Sequence, residues 1–433
     1  MNMLEKYFGI DGHNTTIKTE ILAGITTFLT MAYIIFVNPD MLTKAGMDKG
    51  AVFVATCLAS AIGCFLMGLI ARLPVALAPG MGLNAFFTFS VVLGMGKSWQ
   101  VALGAVFISG LVFVFISVFK LREWIINAIP YTLKQGIVAG IGAFLAFIAL
   151  KSSGIIVASP ATFVTMGKLT DFAPAMAILS FFLIVVFVQR KVPAAVMLSI
   201  LIVTVISLLT GHTQYPGIVS TPPSIAPTLM QLDIAGALDV SMISVIFAFL
   251  FVVLFDTSGT LIGVTKKAGL MQADGNIPNL GKALFADSAA AVAGSLLGTS
   301  SVTSYVESTA GVAAGGRTGL TAIVVGLLFL LALFFAPLAG MIPAYATAGA
   351  IFYVAVLMLF TLSEVDWNDL TEASPVAVVL LMTPLTFSIA DGLALGFITY
   401  TVAKVVSGRY HEVSPAVAVL TVVLLAKLIF LGG

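Results

Sequence analysis

The sequence predicts an all-α polytopic membrane protein with fourteen transmembrane segments, arranged as two inverted repeats of seven. The first observation is composition: of 433 residues, 60% are hydrophobic and 9% are charged, whereas soluble domains carry about 25% charged residues. Charge is scarce along almost the whole chain, so lipid must be the solvent for most of it. The second is a series of apolar runs of bilayer-crossing length, and the third is an uneven distribution of Lys and Arg between them.

Apolar runs bounded by charges, Pro or Gly define the predicted spans. They lie approximately at 20–38, 50–70, 74–93, 99–119, 132–150, 172–189, 193–210, 240–264, 283–298, 300–316, 318–336, 344–361, 374–389 and 391–407. A further apolar stretch at 415–431 contains Lys427 and is either an extra span or a segment at the membrane interface.

The basic residues predict the orientation. With the N-terminus in the cytoplasm, fourteen Lys and Arg residues fall inside and five fall outside, as the positive-inside rule requires. No small-residue cleavage site follows the first apolar run, so we predict no cleaved signal peptide. The net charge of +1 gives no indication of a nucleic-acid partner, and no grouping of residues suggests a metal or a cofactor.

Two spans in corresponding places of the two halves are predicted to be broken. The third contains Pro74, Pro79, Gly80 and Gly82, and a continuous helix through them is costly. An extended piece ending near Pro79 and then a half-helix fits better. The tenth has a Thr, Ser and Val run at 299–303, which favours extended structure. A weak repeat between 129–150 and 342–362 supports the inverted arrangement, which in secondary transporters places the substrate where the halves meet.

Two carboxylates lie in apolar segments, where a charged group is energetically unfavourable. Asp256 ends a long apolar run, and Glu307 is predicted to lie just inside the second half-helix. A charge at the bilayer centre costs about 2.5–3.5 kcal/mol on insertion scales, so both are expected to face a cavity. Such a group can take a proton from one side and release it to the other. Asp287 is either functional or structural, and the acidic residues between 364 and 372 are expected to form a solvated loop.

Asn84 is the polar side chain of the first half-helix. It is expected to contribute a donor and an acceptor beside the acceptors of Asp256 and Glu307. No basic residue is predicted near this centre, which disfavours an anionic substrate. A flat, neutral ring with N–H donors suits the site, and phenylalanines such as Phe28, Phe86, Phe87 and Phe255 are candidates to stack on it.

Four segments, in order, resemble the hypoxanthine, adenine and guanine permeases, the AzgA-like branch of the nucleobase–ascorbate transporter superfamily. They are GITTFLTMAYIIFVNP at 24–39, LPVALAPGMGLNAFF at 73–87, LFDTSGTLIGV at 254–264 and GTSSVTSYVESTAGVAAGGRTGLTA at 298–322. The resemblance implies the uracil-permease fold. A core domain would comprise 1–119 and 239–340, and a gate domain would comprise 120–238 and 341–433. It also implies an elevator-like motion and a homodimer built through the gate domains.

The resemblance also implies site roles. Glu307 would hold the base through ring N–H groups, the Val306 backbone N–H and Tyr305 would line the site, and Asn84 would orient the ring. Asp256 would bind the substrate or couple the proton. Thr27 and Thr260 occupy places where the uracil branch has histidines, so proton coupling should depend on Asp256 or Glu307. The implied function is proton-coupled uptake of adenine, hypoxanthine or guanine across the cytoplasmic (inner) membrane.

The residues leave three alternatives to compare with a proton-coupled purine carrier. An anion exchanger of the same fold would need a basic residue or bare helix dipoles at the site, and a sodium-coupled nucleobase carrier would differ only in the coupling ion. A membrane enzyme would need a nucleophile with a base, or a metal cluster. The D-T-S-G sequence at 256–259 matches the aspartic-protease pattern but occurs once, whereas those enzymes need two such aspartates. The sequence therefore favours a carrier and not an enzyme.

Overall fold

The structure is a computed structural model that describes residues 3–118, 129–271 and 277–430. Within these ranges ten helices are long and apolar enough to cross a membrane, which confirms the predicted all-α polytopic membrane class. Four shorter apolar helices accompany them. The count of fourteen spans and the inverted repeat stay predictions. Lys120, Arg122, the boundary at 119/120, the end of the last apolar stretch at 431 and the Lys427 side chain lie outside the described part.

The first half of the chain contains nine helices and three strands in the described residues. The helices are α1 Met3–Phe8, α2 Ile17–Met31, α3 Ile34–Lys44, α4 Lys49–Leu66, α5 Met81–Ala85, α6 Trp99–Val118, α7 Tyr131–Ser152, α8 Phe172–Gln189 and α9 Ala195–Leu209. The strands are β1 Leu77–Pro79, β2 Ile156–Ser159 and β3 Phe163–Met166. Wide π-helical turns extend α4 over Met67–Ala71 and α5 over Phe86–Gly94.

The described residues of the second half form ten helices and one strand. The helices are α10 Ile234–Ala237, α11 Ile243–Lys267, α12 Leu280–Leu297, α13 Ser308–Ala313, α14 Gly319–Ala332, α15 Ala336–Met341, α16 Ala344–Leu359, α17 Leu370–Leu385, α18 Ile389–Val406 and α19 Pro415–Phe430, and the strand is β4 Val302–Ser304. The stretch predicted at 415–431 is therefore helical as far as it is described.

Three features of the architecture differ from the expectation for a simple bundle. The third and tenth spans are broken, as predicted: each has a three-residue strand before a short helix. The first span is also interrupted, at Ala32 and Tyr33 between α2 and α3, which was not predicted because no Pro or Gly marks the break. An antiparallel hairpin of β2 and β3, with Phe163 88% exposed, joins α7 to α8.

The helices pack in two groups. One group combines α2, α4, α6, α12 and α14, and the other combines α7, α8, α16, α17 and α18. Close glycine contacts mark both, as is usual for membrane helices. A Cβ added at Gly319 of α14 would lie 2.1 Å from the carbonyl oxygen of Gly68, and one at Gly349 of α16 would lie 2.6 Å from the amide nitrogen of Phe181. The backbones therefore meet directly at these points.

A network of ion pairs ties α17 and α18 to the connection between α18 and α19. We call it the terminal charge cluster, and its members are Asp369, Glu372, Lys404, Arg409 and Glu412. The Lys404 side chain is 0% exposed and donates to Glu372 and, at 2.7 Å, to Glu412. Arg409 donates to both oxygens of Glu412 and, at 2.5 Å, to Asp369.

The prediction of a solvated acidic loop is therefore wrong for half of its residues. Asp369 and Glu372 are held by cations because the chain returns to them some 30–40 residues later, a long-range contact that local sequence does not reveal. Glu364 and Asp366 are exposed. Glu364 accepts hydrogen bonds from Tyr131 and, at 2.8 Å, from Gln135.

Candidate functional site

The two broken spans cross through a buried two-stranded ribbon. Strands β1 and β4 are antiparallel and pair Leu77 with Ser304, Ala78 with Thr303 and Pro79 with Val302. All strand residues are buried. Further bonds from Gly80 N to the Ser301 carbonyl, 3.0 Å, and from Tyr305 N to the Ala76 carbonyl, 2.9 Å, extend the pairing. Extended backbone is tolerated at membrane depth because each strand forms hydrogen bonds with the backbone N–H and C=O groups of the other.

Both half-helices begin where the ribbon ends. Pro79 cannot donate a helical bond. Gly80 is required because a Cβ there would lie 2.8 Å from Thr303 Cγ2. The first helical bond of α5 runs from Asn84 N to the Gly80 carbonyl at 2.8 Å. On the other side α13 starts at Ser308. Two helix N-termini, each the positive end of a helix dipole, thus lie at opposite ends of one ribbon.

Glu307 occupies the N-cap position of α13 and so precedes the helix, whereas the sequence predicted it inside. The half-helix starts three residues later than predicted because a turn at Val306 and Glu307 follows the strand first. Its carboxylate is partly exposed and accepts a hydrogen bond from the Tyr33 hydroxyl at 2.5 Å. Glu307 therefore presents its carboxylate beside the N-terminus of α13 and the interruption of the first span.

Asp256, midway along α11, is brought to the same place. It accepts a hydrogen bond from the Thr303 side chain, and Asp287 and Glu307 lie within electrostatic reach of it. Asp287 is fully buried on α12 and accepts bonds of 2.7 Å from both Thr257 and Ser304. Three carboxylates therefore cluster around β4. Within the described ranges, no Lys, Arg or His donates to Asp256 or Glu307.

Asn84 lies on α5 and is fully buried. Its side-chain oxygen accepts a hydrogen bond from Ser300, while its side-chain nitrogen has no partner in the described part of the chain. Ser300, two residues before β4, bonds to one of the two lone pairs of that oxygen, and the amide N–H₂ is the group available as a donor.

The other predicted site residues lie around this cluster. Tyr305 is buried and donates to the Pro79 carbonyl at 2.6 Å, so it fastens the ribbon. Val306 is 50% exposed. Thr260 is one helical turn beyond Asp256 and 7% exposed. Thr27 is buried and packs against α13, because a Cβ at Gly311 would lie 2.1 Å from its hydroxyl oxygen.

Sequence reasoning missed several residues at this crossing. Tyr33 is 1% exposed and hydrogen-bonded to Glu307, and Tyr353 of α16 lies within electrostatic reach of the same carboxylate. Neither has a sequence signal, since a tyrosine in an apolar run is usually a packing residue. Ser300 and Thr303 lay in a segment predicted only to be extended.

Most of the aromatic candidates pack in the core. Phe86 is 1% exposed and makes an edge contact of 4.9 Å between ring centroids with Phe249, and Phe87 is 0% exposed. Phe28 makes a similar contact of 5.2 Å with Phe329. A basic group is also nearer than expected, because the Lys134 ammonium lies 6.0 Å from the Phe255 ring centroid.

Comparison with known proteins gives consistent matches along the chain. A profile of the permease family (Xan_ur_permease) matches residues 18–427. Adenine permease AdeP of Escherichia coli (strain K12) is 51% identical over 431 residues, which cover 100% of this chain and 97% of that protein. Guanine/hypoxanthine permease PbuG of Bacillus subtilis (strain 168) is 47% identical over 440 residues, covering 99% and 100%.

A solved structure has a similar fold. The transmembrane domain of the cyanobacterial bicarbonate transporter BicA superposes with a TM-score of 0.64, covering 88% of this chain and 97% of that chain. At 18% identity, this likeness concerns the fold alone.

Proposed function

Because this chain belongs to the permease family, and is a multi-pass membrane transporter and not an enzyme, we propose that it carries purine bases into the cell together with protons. The substrate class follows from the relatives, which are named for adenine and for guanine and hypoxanthine and match nearly the whole chain. The chemistry of the crossing between β1 and β4 supports the same class independently.

The observation that carries the proposal is the Glu307 carboxylate, partly exposed at the start of α13. A carboxylate accepts hydrogen bonds from ring N–H groups, which a neutral purine offers. The Val306 backbone N–H and the free amide of Asn84 would donate to the acceptor atoms of the ring, while Tyr305 and Thr27 would hold the surrounding walls. Hydrogen bonds to a charged group contribute roughly 1.5–3 kcal/mol each, enough to select such a ring.

Proton coupling is proposed to depend on Asp256 together with Glu307. These two carboxylates are electrostatic neighbours with hydroxyl partners. Two like charges that share a site favour the uptake of one proton, because protonation removes their repulsion. Thr260, one turn from Asp256, would line this part of the site. A proton bound with the base would leave the loaded site less charged, which favours its movement through the membrane.

The proposed motion is elevator-like. A core domain (1–119 and 239–340) would slide against a gate domain (120–238 and 341–433). The two groups of helices support this division, because α2, α4, α6, α12 and α14 pack mainly with one another, as do α7, α8, α16, α17 and α18. We further propose that two copies associate through their gate domains, and that the N-terminus lies in the cytoplasm.

Uptake of labelled adenine, hypoxanthine and guanine tests the function, in cells that lack their own purine carriers. Uptake of at least one base is expected, with an empty vector as the control. If the protein is present in the membrane and no base enters, the proposal fails. Competition by the unlabelled bases then ranks the substrates.

The coupling ion is tested separately in the same cells. A protonophore is expected to abolish accumulation, and replacing sodium by potassium is expected to leave it unchanged. Strict dependence on sodium would contradict proton coupling while leaving purine transport intact.

A further inference from the structure

The interruption of the first span lies directly opposite Glu307. Helix α2 ends at Met31 and α3 begins at Ile34. Between them the backbone tightens, with bonds from Ile35 N to the Ala32 carbonyl, 3.1 Å, and from Phe36 N to the Tyr33 carbonyl, 3.0 Å. Such i to i−3 bonds inside a span often mark a functional site or a hinge. At this break the Tyr33 side chain faces Glu307.

Tyr33 is buried and has one polar contact there. Its side chain is 1% exposed, and its hydroxyl donates to Glu307 Oε1 at 2.5 Å, across 274 positions of sequence. Within residues 3–118, 129–271 and 277–430, no other side chain donates a hydrogen bond to that carboxylate. The Tyr33 hydroxyl is therefore the side-chain donor that holds the Glu307 carboxylate, together with the backbone N–H of Glu307 itself.

The first span, which carries Tyr33, packs closely against the segment around α13, which carries Glu307. Helix α2 touches α13 at Gly311, where a Cβ would lie 2.6 Å from the Ala23 carbonyl oxygen. On the far side of α13, the buried Glu20 of α2 accepts bonds of 2.8 Å from Arg317 N and 2.6 Å from the Thr321 hydroxyl. Because of these contacts we expect α2 and α13 to move as one unit, so that Tyr33 and Glu307 keep their relative position.

We propose that Tyr33 is the positioning residue of the candidate site: its hydroxyl holds one oxygen of Glu307 and aims the other at the base. Preorganised acceptors bind more tightly because no side-chain entropy is lost on binding. The hydroxyl also stabilises the charged carboxylate, since hydrogen bonding to the charged form favours it. Tyr33 therefore acts on the base through Glu307. This inference depends on the proposed purine transport.

The test is Tyr33→Phe, which removes the hydroxyl and keeps the ring. The KM for the transported base is expected to rise about tenfold, as for a lost hydrogen bond to a charged group, with Vmax per inserted carrier nearly unchanged. The pH at which base binding falls by half is expected to move upward, because the Glu307 carboxylate loses a donor and takes up a proton more readily. A purely structural role would lower Vmax without moving this pH.

Tyr345→Phe is the matched control, since it deletes another tyrosine hydroxyl, the one bonded to Ser207 between α16 and α9. It is expected to leave KM and the pH profile unchanged. Tyr33→His, which retains an N–H donor, is expected to restore part of the affinity. Wild-type KM and pH profile in Tyr33→Phe would overturn the inference.

Two further outcomes separate the alternatives. If Tyr33→Phe and Tyr33→His both fail to reach the membrane while Tyr345→Phe does, Tyr33 is a structural residue and the inference is overturned. If the wild type carries no purine, it is the proposed function that fails.

Discussion

The acidic residues of the ribbon crossing and those of the terminal charge cluster differ in what compensates their charge. In the cluster, Asp369, Glu372 and Glu412 each have a cation within hydrogen-bond distance. At the crossing, Asp256 and Glu307 have hydroxyl partners and each other. A carboxylate held by a cation is committed to structure, whereas one held only by hydroxyls can still exchange a proton or accept a ligand. The difference separates structural acids from candidate functional acids within one chain.

Glu307→Gln is expected to give the largest effect. The amide offers one acceptor in place of a carboxylate and cannot take up a proton, so uptake of every transported base should fall by about 100-fold or more. Labelled-base uptake, normalised to the amount of protein in the membrane, measures this. Glu412→Gln is the matched control from the terminal charge cluster and should retain uptake. Comparable losses in both variants would remove the distinction between the two regions.

Asp256→Asn tests whether Asp256 serves in proton coupling or in binding of the base. Asparagine still bonds to Thr303 but cannot carry a proton. If Asp256 carries the coupled proton, accumulation against a gradient should be lost while exchange of labelled for unlabelled base across the membrane continues. Counterflow in vesicles measures the exchange. Loss of exchange together with accumulation would instead assign Asp256 to base binding.

The fold was largely predictable because its signals are local and strong. Apolar length identifies the spans, and Pro79 with Gly80 marks one break because these residues oppose a helix directly. The second break follows from a β-favouring run at 299–303. The interruption at Ala32 and Tyr33 was not predictable, since neither residue opposes a helix as Pro or Gly does.

Of the candidate site, the sequence predicts the acidic residues but not the residues that hydrogen-bond to them. Asp256 and Glu307 are conspicuous because charge is expensive in lipid. Their partners are ordinary residues. Ser300 donates to the Asn84 side-chain oxygen, and Tyr33 contacts Glu307 from 274 positions away. The same holds for Asp369 and Glu372, whose cations, Arg409 and Lys404, come from 40 and 32 residues further along the chain. Pairings of this kind depend on three-dimensional proximity, which composition and spacing do not encode.

Lys404→Met tests the terminal charge cluster. The Lys404 side chain is 0% exposed, so its loss leaves Glu372 without a cation, while Glu412 keeps its pair with Arg409. Breaking a buried ion pair by removing one partner costs about 3 kcal/mol or more, and thermal unfolding in detergent should show it. The KM for the base should not change. Lys168→Met is the control, because its pair with Asp171 is exposed and contributes little. Equal stability of both variants would contradict a structural role.

The smallest expected effect is a loss of stability in acid. The Arg409 and Lys404 hydrogen bonds lower the pKa of Glu412 from 4.5 to about 2, and the Arg409 and Thr371 bonds lower the pKa of Asp369 below its ordinary 3.8. A carboxyl group with a lowered folded-state pKa stabilises the fold above its unfolded-state pKa, and that contribution is lost as pH falls towards the folded-state value. The melting temperature in detergent should therefore decline between about pH 4.5 and pH 2.

Glu412→Gln isolates the part of this decline that belongs to the cluster. Glutamine does not titrate, so the variant should be less stable than the wild type at pH 6 and should approach it as the pH falls through this window. A pH dependence identical to that of the wild type would mean that Glu412 is not held by its cations in the folded protein. The contrast between its committed charge and the exchangeable charge of Glu307 would then have no basis.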